Sequence, residues 1–302
     1  MSKVAIIGLC GDSLFYNLDH LPKKGETVHA DFLHREVGGK GFNQAVALAR
    51  QDVDVYFLGA VGNDDIGNKC EEFLKQEGIN AFLVRKDIPS ACASILKSED
   101  GNNEVIVYRG ASDLINLDDL KGFYKYIDMC DCVMLTYEIP YNVLKEIAKY
   151  AKEKHKKIFI NPAPYVYDDM ELLKDANIIC PNETEAMQMF KTDKFDLEKM
   201  NVFRKEYELN DLVITLGEKG SIAYRKNTLP GQEETYLNNV KKIKPVDSTG
   251  AGDVFCACLC AKLLEGEDLF KAVKYANQEA GKSVLIPYVL DAIPRRKDNE
   301  KN

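Results

Sequence analysis

The strongest chemical signal in the chain is a glycine-rich segment that ends in an acid, D-S-T-G-A-G-D at Asp247–Asp253. An apolar helical pattern, Val254–Leu264, follows it directly. Free backbone N–H groups and the positive end of the helix dipole attract phosphate at a helix N-terminus. Residues as small as Gly250, Ala251 and Gly252 let a phosphate approach closely, so the segment predicts a phosphate-binding site.

Asp253, the last residue of this segment, would face the same phosphate. A carboxylate beside a phosphate is repelled unless it has chemical work, and accepting the proton of an attacking hydroxyl is such work. We therefore predict that Asp253 is a general base. Taken alone, the segment also allows a second interpretation, in which Asp253 or Ser248 only caps the helix.

A second glycine-rich turn, G-G-K-G-F-N-Q-A at 38–45, leads into another helical pattern. The P-loop spacing G-x-x-x-x-G-K-[ST] is absent from the sequence, so this turn is not the ordinary nucleotide cradle. Its backbone N–H groups, with Lys40 and Asn43, would instead bind the hydroxyls of a polyol. A simple tight turn is the alternative.

Two further segments follow predicted strands, at the position where parallel sheets bind ligands. In P-N-E-T-E at 181–185, Glu185 could hold magnesium through water, because Mg²⁺ keeps most of its waters and needs few carboxylates. The alternative is a helix cap formed by Asn182 and Glu185. The glycines of T-L-G-E-K-G at 215–220 could admit a nucleotide or simply form a hairpin turn.

The elements that must position these segments alternate between short β-rich runs and helical patterns. Such alternation predicts an α/β fold with a mainly parallel sheet sandwiched by helices. The predicted strands are Val4–Leu9, Val55–Gly62, Cys132–Tyr137, Ile158–Asn161, Ile178–Cys180 and Leu212–Leu216, and the predicted helices are Lys40–Gln51, Asp65–Gln76, Tyr141–Lys154, Asp253–Leu264 and Asp268–Val284.

Two segments break this alternation and are typical of strands. They are Glu26–Val37 and Ala91–Arg109, the latter divided by a turn cluster at 98–103. We predict one domain over residues 1–302, with a discontinuous β-sheet lid at about 12–37 and 90–110 over the mouth of the main sheet. The charged and polar tail from Arg295 onwards should be frayed.

Composition narrows the function classes. A formal net charge of −8 argues against nucleic-acid and anionic-membrane partners, because those surfaces need a broad positive field. The first apolar run, Val4–Cys10, has a strand's length and lacks the form of a signal peptide or membrane span, which predicts a cytoplasmic protein.

The nine cysteines are an odd number and, without secretory features, are better explained as reduced thiols than as a disulfide framework. Cys256, Cys258 and Cys260 suggest a metal site at first sight. Helical spacing turns the middle thiol away and no histidine lies nearby, which favours small buried side chains instead.

Six segments, in this order and at these intervals, closely resemble the ribokinase-like (PfkB) carbohydrate kinase family from about Val4 to Arg296. They are GETV (25–28), GGKGFNQA (38–45), NPAP (161–164), PNETEA (181–186), TLGEKG (215–220) and DSTGAGD (247–253). The resemblance implies an ATP-dependent transfer of the γ-phosphate to a sugar hydroxyl, with Asp253 as base and Gly250, Ala251 and Gly252 as anion hole.

The resemblance also implies roles for other residues. It would place Gly39, Lys40, Asn43 and Glu138 around the substrate. It would place the nucleotide against Asn182, Asn277 and the turn that contains Thr215, Gly217 and Gly220, with Glu185 near Mg²⁺. The lid would close over the sugar, and in relatives it often forms a homodimer contact.

The chain departs from the family pattern in three places. Relatives present Asn-x-Asp after the first strand, whereas this chain has Gly11-Asp12-Ser13, so Asp12 would take over only part of the grip on the sugar. Arg109 would face a carboxylate or phosphate of the substrate, unless it is a solvated lid arginine. The stretch 286–291 lacks the Gly-Ala pair of potassium-activated relatives, which argues against activation by a monovalent cation.

Other functions stay open at this point. A sugar acid, a sugar phosphate or a nucleoside would fit the same frame as a sugar, and a non-catalytic sugar-binding homologue would share the fold. A dinucleotide-dependent oxidoreductase is weakly suggested by Val4–Gly11, although G-x-x-G is not the G-x-G-x-x-G fingerprint.

Overall fold

The computed structural model of the protein describes residues 1–98, 103–226, 234–240 and 242–296. Among these residues it has a nine-stranded sheet, ordered β13-β12-β11-β10-β9-β8-β1-β4-β5. The strands are β1 (Lys3–Ile7), β4 (Asp54–Gly62), β5 (Asn80–Lys86), β8 (Cys132–Thr136), β9 (Lys157–Asn161), β10 (Ile178–Ile179), β11 (Asp211–Thr215), β12 (Ser221–Tyr224) and β13 (Thr235–Asn238).

Seven of these strands, from β5 across to β11, are parallel, and the last two pair antiparallel. Helices cover both faces, which confirms the predicted α/β class. They are α1 (Lys40–Arg50), α2 (Asp65–Gln76), α3 (Tyr124–Met129), α4 (Tyr141–Glu153), α5 (Met170–Lys174), α6 (Glu183–Met189), α7 (Leu197–Glu206), α8 (Ala251–Leu264) and α9 (Leu269–Ser283).

The sheet separates two apolar cores, because successive strand residues point to opposite faces. In β1, Val4 and Ile6 belong to one core, whereas Ala5 and Ile7 belong to the other. The first core contains α1, α8 and α9, and the second contains α4. Burial on both faces explains why the central strands are continuous apolar runs rather than alternating patterns.

A separate four-stranded sheet, the lid sheet, has the order β3-β2-β6-β7. Its strands are β2 (Gly11–Leu18), β3 (Phe32–Gly38), β6 (Ala91–Ser98) and β7 (Asn103–Tyr108). This confirms the predicted small β sheet. The predicted turn between its last two strands lies at 99–102, outside the described residues.

One predicted lid strand was too long. The strand expected to begin at Glu26 begins at Phe32, and β2, which precedes it, was not recognised as a separate strand. Glu26 instead closes a loop, since its carboxylate accepts the backbone N–H of Lys23 and contacts the His20 ring. Gly25, with φ +84°, makes the turn.

The first two residues of the tail are held rather than frayed, so that prediction was wrong for them. Arg295 contacts Glu77 and Arg296 contacts Glu265. Cys256, Cys258 and Cys260 are buried in α8, and the described residues contain no group of three His, Cys, Asp or Glu able to hold a metal ion. No helix in the described ranges is long and apolar enough to cross a membrane.

Candidate active site

The site lies at the start of α8, where the segment Asp247–Asp253 forms a tight turn. Asp247 Oδ1 accepts hydrogen bonds from Thr249 N, at 2.9 Å, and from Thr249 Oγ1, at 2.7 Å. Gly250 has φ +78°, and a Cβ there would lie 2.6 Å from Val289 Cγ1, so the position requires glycine. A Cβ on Gly252 would meet no atom within 4 Å. The first turn of the helix is therefore open at Gly252.

Asp253 follows this open turn, and its carboxylate is buried between α8 and α1. Its two oxygens accept hydrogen bonds of 3.0 Å from Asn43 Nδ2 and Gln44 Nε2. Burial raises the pKa of Asp253 above its ordinary value, and this effect outweighs Lys40 and the two amides, which act in the opposite direction. The carboxylate is thus a stronger base than an exposed aspartate.

Gln44 and Asn161 complete this cluster, although neither residue was predicted to have a role in the site. Gln44 Nε2 also contacts Asn161 Oδ1 at 3.0 Å, and Asn161 Nδ2 donates to the Cys180 carbonyl at 2.7 Å. Both residues lie within segments already recognised, at 38–45 and 161–164. Each is a polar residue in an otherwise apolar pattern, and this feature of the sequence could have identified them as site residues.

Asn43 presents a free acceptor. Its amide nitrogen must donate to the Asp253 carboxylate, so its oxygen points away, and that buried Oδ1 has no hydrogen-bond partner in the described part of the chain. A Cβ added to Gly38 would lie 3.4 Å from this oxygen and 2.8 Å from Ser13 Oγ. Asn43 and Ser13 therefore border the same space.

Glu138 supports the GGKG turn. Its carboxylate accepts the backbone N–H of Lys40 at 2.9 Å and of Gly41 at 2.8 Å, together with the Thr136 hydroxyl at 3.0 Å. The expectation that these backbone N–H groups would bind substrate hydroxyls was therefore wrong for Lys40 and Gly41, because Glu138 uses them. Burial raises the pKa of Glu138 despite these donors.

The glycines of this turn allow close packing. A Cβ on Gly39, which has φ +133°, would lie 2.3 Å from the Leu9 carbonyl oxygen, and a Cβ on Gly41 would lie 2.6 Å from Gly8 Cα. The start of α1 thus sits directly on the end of β1. This contact carries the Lys40 and Asn43 side chains to the carboxyl edge of the sheet.

Lys40 lies in the field of three carboxylates. Burial alone would lower its pKa, but Asp253, Glu138 and Glu185 outweigh burial and raise it. The lysine therefore stays charged and offsets part of the negative charge in the cleft.

Asp12 and Ser13 lie on opposite faces of β2, as neighbours in a strand must. The Asp12 carboxylate is held by Arg35 Nε at 2.8 and 2.9 Å. Phe15, on the same face as Ser13, contacts the ring of Tyr288. Ser13, rather than Asp12, therefore lies on the face of the lid sheet that contacts Tyr288, in the segment after α9.

Arg109 packs against the end of β8 and is not a solvated lid residue. Its Nε donates to the Glu138 carbonyl at 3.1 Å, a second nitrogen donates to Tyr167 Oη at 3.4 Å, and it forms an ion pair with Asp113. Its charge is thus already partnered within the protein.

Several residues expected at the nucleotide are connected to one another through β11, β12 and α9. Asn182 and Thr215 form a β-bridge, and Thr215 pairs with Ser221 across the turn. Asn277 Nδ2 donates to Ser221 Oγ at 2.6 Å. Gly217 and Gly220 both have positive φ, and a Cβ on Gly220 would collide with the Asn238 carbonyl at 2.0 Å.

A family model described as pfkB family carbohydrate kinase matches residues 1–294. The chain belongs to this family. Ribokinase of Bacillus subtilis is 32% identical over 303 residues, which cover 100% of this chain and 99% of that protein. Arabidopsis thaliana ribokinase, solved with ribose and ATP, has a TM-score of 0.84 at 25% identity, covering 100% of this chain and 98% of that one. Giardia lamblia ribokinase has a TM-score of 0.90 at 24% identity, covering 99% and 98%, and supports the fold alone.

This carbohydrate kinase is therefore not a dinucleotide-dependent oxidoreductase. The first strand leads into the lid strand β2 rather than into a helix, which also removes the structural basis of that interpretation.

Glu185 of the kinase serves as a helix cap and remains a candidate for the metal. Its Oε2 accepts the Asn182 N–H while Asn182 Oδ1 accepts the Glu185 N–H, each at 2.8 Å. Burial raises its pKa. A single buried carboxylate, with no ready-made cage among the described residues, fits an ion held mainly by phosphate and water.

Proposed function

We propose that this carbohydrate kinase transfers the γ-phosphate of ATP to a hydroxyl of a sugar or related small polyol, with Asp253 as the general base. One observation carries the proposal. A buried carboxylate with a raised pKa lies directly beside the open, glycine-lined start of α8. Base and anion hole are thus neighbours within one helical turn.

Each part of this arrangement has a chemical role. Asp253 accepts the hydroxyl proton as the substrate oxygen bonds to the γ-phosphorus and the bond to the ADP oxygen breaks. The backbone N–H groups of Gly250, Ala251 and Gly252 stabilise the charge on the moving phosphoryl oxygens, which is the main demand of phosphoryl transfer. Lys40 offsets the charge of the surrounding carboxylates.

The substrate is proposed to be a neutral polyol. Asn43 Oδ1 is a buried acceptor suited to a hydroxyl donor, and Ser13 Oγ borders the same space. Arg109, which would have pointed to an anionic substrate, is already paired with Asp113. We therefore assign the substrate contacts to Ser13, Gly39, Lys40, Asn43 and Glu138, and leave Asp12 with Arg35.

The nucleotide would lie against Asn182, Asn277 and the Thr215–Gly220 turn, including Gly217. Magnesium, held by phosphate and water near Glu185, would neutralise phosphate charge. We expect no activation by potassium, because the stretch 286–291 lacks the Gly-Ala pair of potassium-activated relatives.

Residues 1–302 are proposed to act as one cytoplasmic domain closed by the lid at about 12–37 and 90–110, pairing with a second copy through the lid. Its net charge of −8 disfavours nucleic-acid or anionic-membrane partners.

An ADP-release panel tests this function. The acceptors are ribose, 2-deoxyribose, fructose, adenosine, gluconate and fructose 6-phosphate, each with ATP and MgCl₂, and reactions without acceptor serve as control. We expect ADP release that depends on a neutral sugar. Activity with gluconate or the sugar phosphate alone would contradict the neutral-polyol assignment, and binding of sugar and ATP without ADP formation would favour a non-catalytic homologue.

A further inference from the structure

A lysine of the lid sheet contacts the loop at the start of the proposed anion hole. Lys97, on β6, places Nζ 2.5 Å from Asp247 Oδ2, and Asp247 is only 5% exposed. This ion pair joins two parts of the chain that are 150 residues apart. It lies on the inner face of the lid, which also carries Phe15 and Glu36.

The ammonium of Lys97 sits in an enclosed position. Its Nζ lies 5.9 Å from the ring centroid of Phe15 and 6.0 Å from that of Tyr288, within the range of cation–π attraction. Tyr288 stacks on His34 with centroids 3.6 Å apart, and its backbone N–H donates to Asp247 Oδ2 at 2.9 Å. The lid sheet and the segments around Asp247 and Tyr288 thus contact one another at the Lys97 ammonium group.

Asp247 transmits this contact to the anion hole. Its second oxygen fixes Thr249 through the two hydrogen bonds described above, and Thr249 directly precedes Gly250, the left-handed residue that starts α8. Burial acts to raise the pKa of Asp247, but Lys97 and Thr249 outweigh it and lower that pKa. Lys97 and Thr249 together thus favour the charged form of this carboxylate.

A second lid carboxylate supports the same docking. Glu36 accepts the backbone N–H of Val289 at 3.0 Å and of Leu290 at 3.3 Å. Val289 is the residue whose side chain faces Gly250. The lid therefore touches the anion-hole turn from two directions, and only the Lys97 contact brings a positive charge.

We propose that Lys97 is a positioning residue: its tethered ammonium is the cation that holds Asp247, and through it the anion-hole turn, when the lid is seated. This inference rests on the proposed kinase function. The built-in charge makes activity independent of which monovalent cation is dissolved. Replacing Lys97 with methionine removes the charge but keeps the apolar stem, so a small dissolved cation can approach Asp247 in its place.

The test compares Lys97→Met with the wild type in 100 mM tetramethylammonium, sodium, potassium and ammonium chloride. Lys86→Met is the matched control, because Lys86 forms a similarly sheltered ion pair with Asp119 away from the site. In tetramethylammonium chloride we expect kcat of Lys97→Met to fall about tenfold or more, the scale of a lost hydrogen bond between charged groups. Ammonium or potassium should restore most of it, while the wild type and Lys86→Met stay insensitive to the cation.

Three results would overturn the inference: full activity of Lys97→Met, a loss that no cation restores, or a wild type that itself needs potassium. A wild type that releases no ADP would contradict the proposed function instead. In that case the melting temperature of Lys97→Met tests the role of Lys97. Ammonium chloride should raise this temperature relative to tetramethylammonium chloride, and the melting temperature of the wild type should be the same in both salts. An equal melting temperature of Lys97→Met in both salts would overturn the inference.

Discussion

At the scale of single residues, the basicity of Asp253 reflects opposing effects of burial and hydrogen bonding. Burial raises its pKa, whereas Lys40, Asn43 and Gln44 favour the ionised form. The base must be ionised to accept a proton, so activity should rise with pH as Asp253 loses its proton. The acid limb of kcat/KM should therefore lie above the pKa of about 3.9 of an exposed aspartate.

Gln44→Met should move this acid limb to higher pH. The variant removes one hydrogen bond to the ionised carboxylate, an effect of about one pKa unit. The measurement is kcat/KM against pH for the variant and the wild type. Gln76→Met is the control, because Gln76 is exposed on the surface of α2 and donates to the exposed Glu72. If the acid limb of Gln44→Met does not move, the group that titrates in this pH range is not Asp253.

Gly252→Ala should impair catalysis without harming the fold. Beyond its own helix turn, the added methyl group would meet no described atom within 4 Å, and it would enter the proposed phosphate site. We expect kcat/KM to fall on the order of 10- to 100-fold, as for a misplaced reactant. Gly281→Ala in α9 is the matched control, since its methyl group also meets nothing within 4 Å. Equal activity of both variants would place the phosphate elsewhere.

The sequence predicted the place of some residues in the cleft better than the orientation of others. The types of Asp253 and the glycines before it were enough to place them at the start of α8, because a helix start imposes its own geometry, and the role of Asp253 as base stays a prediction. Asp12 could not be distinguished from Ser13, since a shift of one residue in the phase of a strand exchanges its faces. Arg109 likewise found a partner, Asp113, that spacing alone did not single out.

At the scale of elements, the alternation of strands and helices was predictable where both faces of the sheet are buried. The edge strands β5 and β13, and β12 next to β13, were not recognised, because they are short or mix polar with apolar residues and so lack a clear period. The helix α6 was anticipated only as a cap. Asn182 and Glu185 form a capping box at its start. This role as a helix cap does not exclude the proposed roles of Glu185 near magnesium and of Asn182 at the nucleotide.

A buried ion pair ties the ends of α1 and α2 to the C-terminal segment. Arg50 contacts Glu77 at 2.6 Å, with both side chains 8% exposed, and also donates to the carbonyls of Leu290 and Ile293. Burial acts to raise the pKa of Glu77, but Arg50 and Arg295 together outweigh it and lower that pKa. The pair's contribution is thus present above the unfolded-state pKa of about 4.3 and is lost as pH falls through the folded-state value.

Glu77→Ala should lower the free energy of unfolding by about 3 kcal/mol at pH 7, because it leaves Arg50 charged and buried. Urea titrations at pH 7 and at about pH 3.5 measure the effect, and the difference from wild type should shrink at the lower pH. Asp118→Ala is the control, since its ion pair with Lys121 is exposed and should contribute nothing measurable. If Glu77→Ala lowers the free energy of unfolding by the same amount at both pH values, the stabilisation does not come from the ionised Glu77 carboxylate.

At the scale of the whole molecule, the lid sheet exposes apolar residues at both ends of its strand order. Val105, Ile106 and Val107 of β7 are at least half exposed, as are Phe32 and Leu33 of β3. Successive residues of β7 point to opposite faces, so both faces of this strand are apolar and open. A second copy of the chain would cover them and protect the strand edge.

Ile106→Lys should therefore disrupt the proposed dimer and leave a monomer. Ile106 is 66% exposed, so the substitution removes an interface residue without disturbing a core. Light scattering after size-exclusion chromatography measures the mass. Val202→Lys on α7 is the control, because Val202 is 50% exposed and lies outside the lid. A wild-type protein that is monomeric at micromolar concentration would contradict the proposed pairing.

The most direct test of the account is sugar-dependent ADP release by Asp253→Asn, with Asp119→Asn as control for an equivalent change outside the cleft. The substitution keeps the shape of the side chain but removes the proton acceptor. We expect turnover to fall about 10²-fold or more while ATP and sugar still bind, and we expect Asp119→Asn to stay active. Undiminished turnover in Asp253→Asn would contradict the central claim that this carboxylate takes the proton.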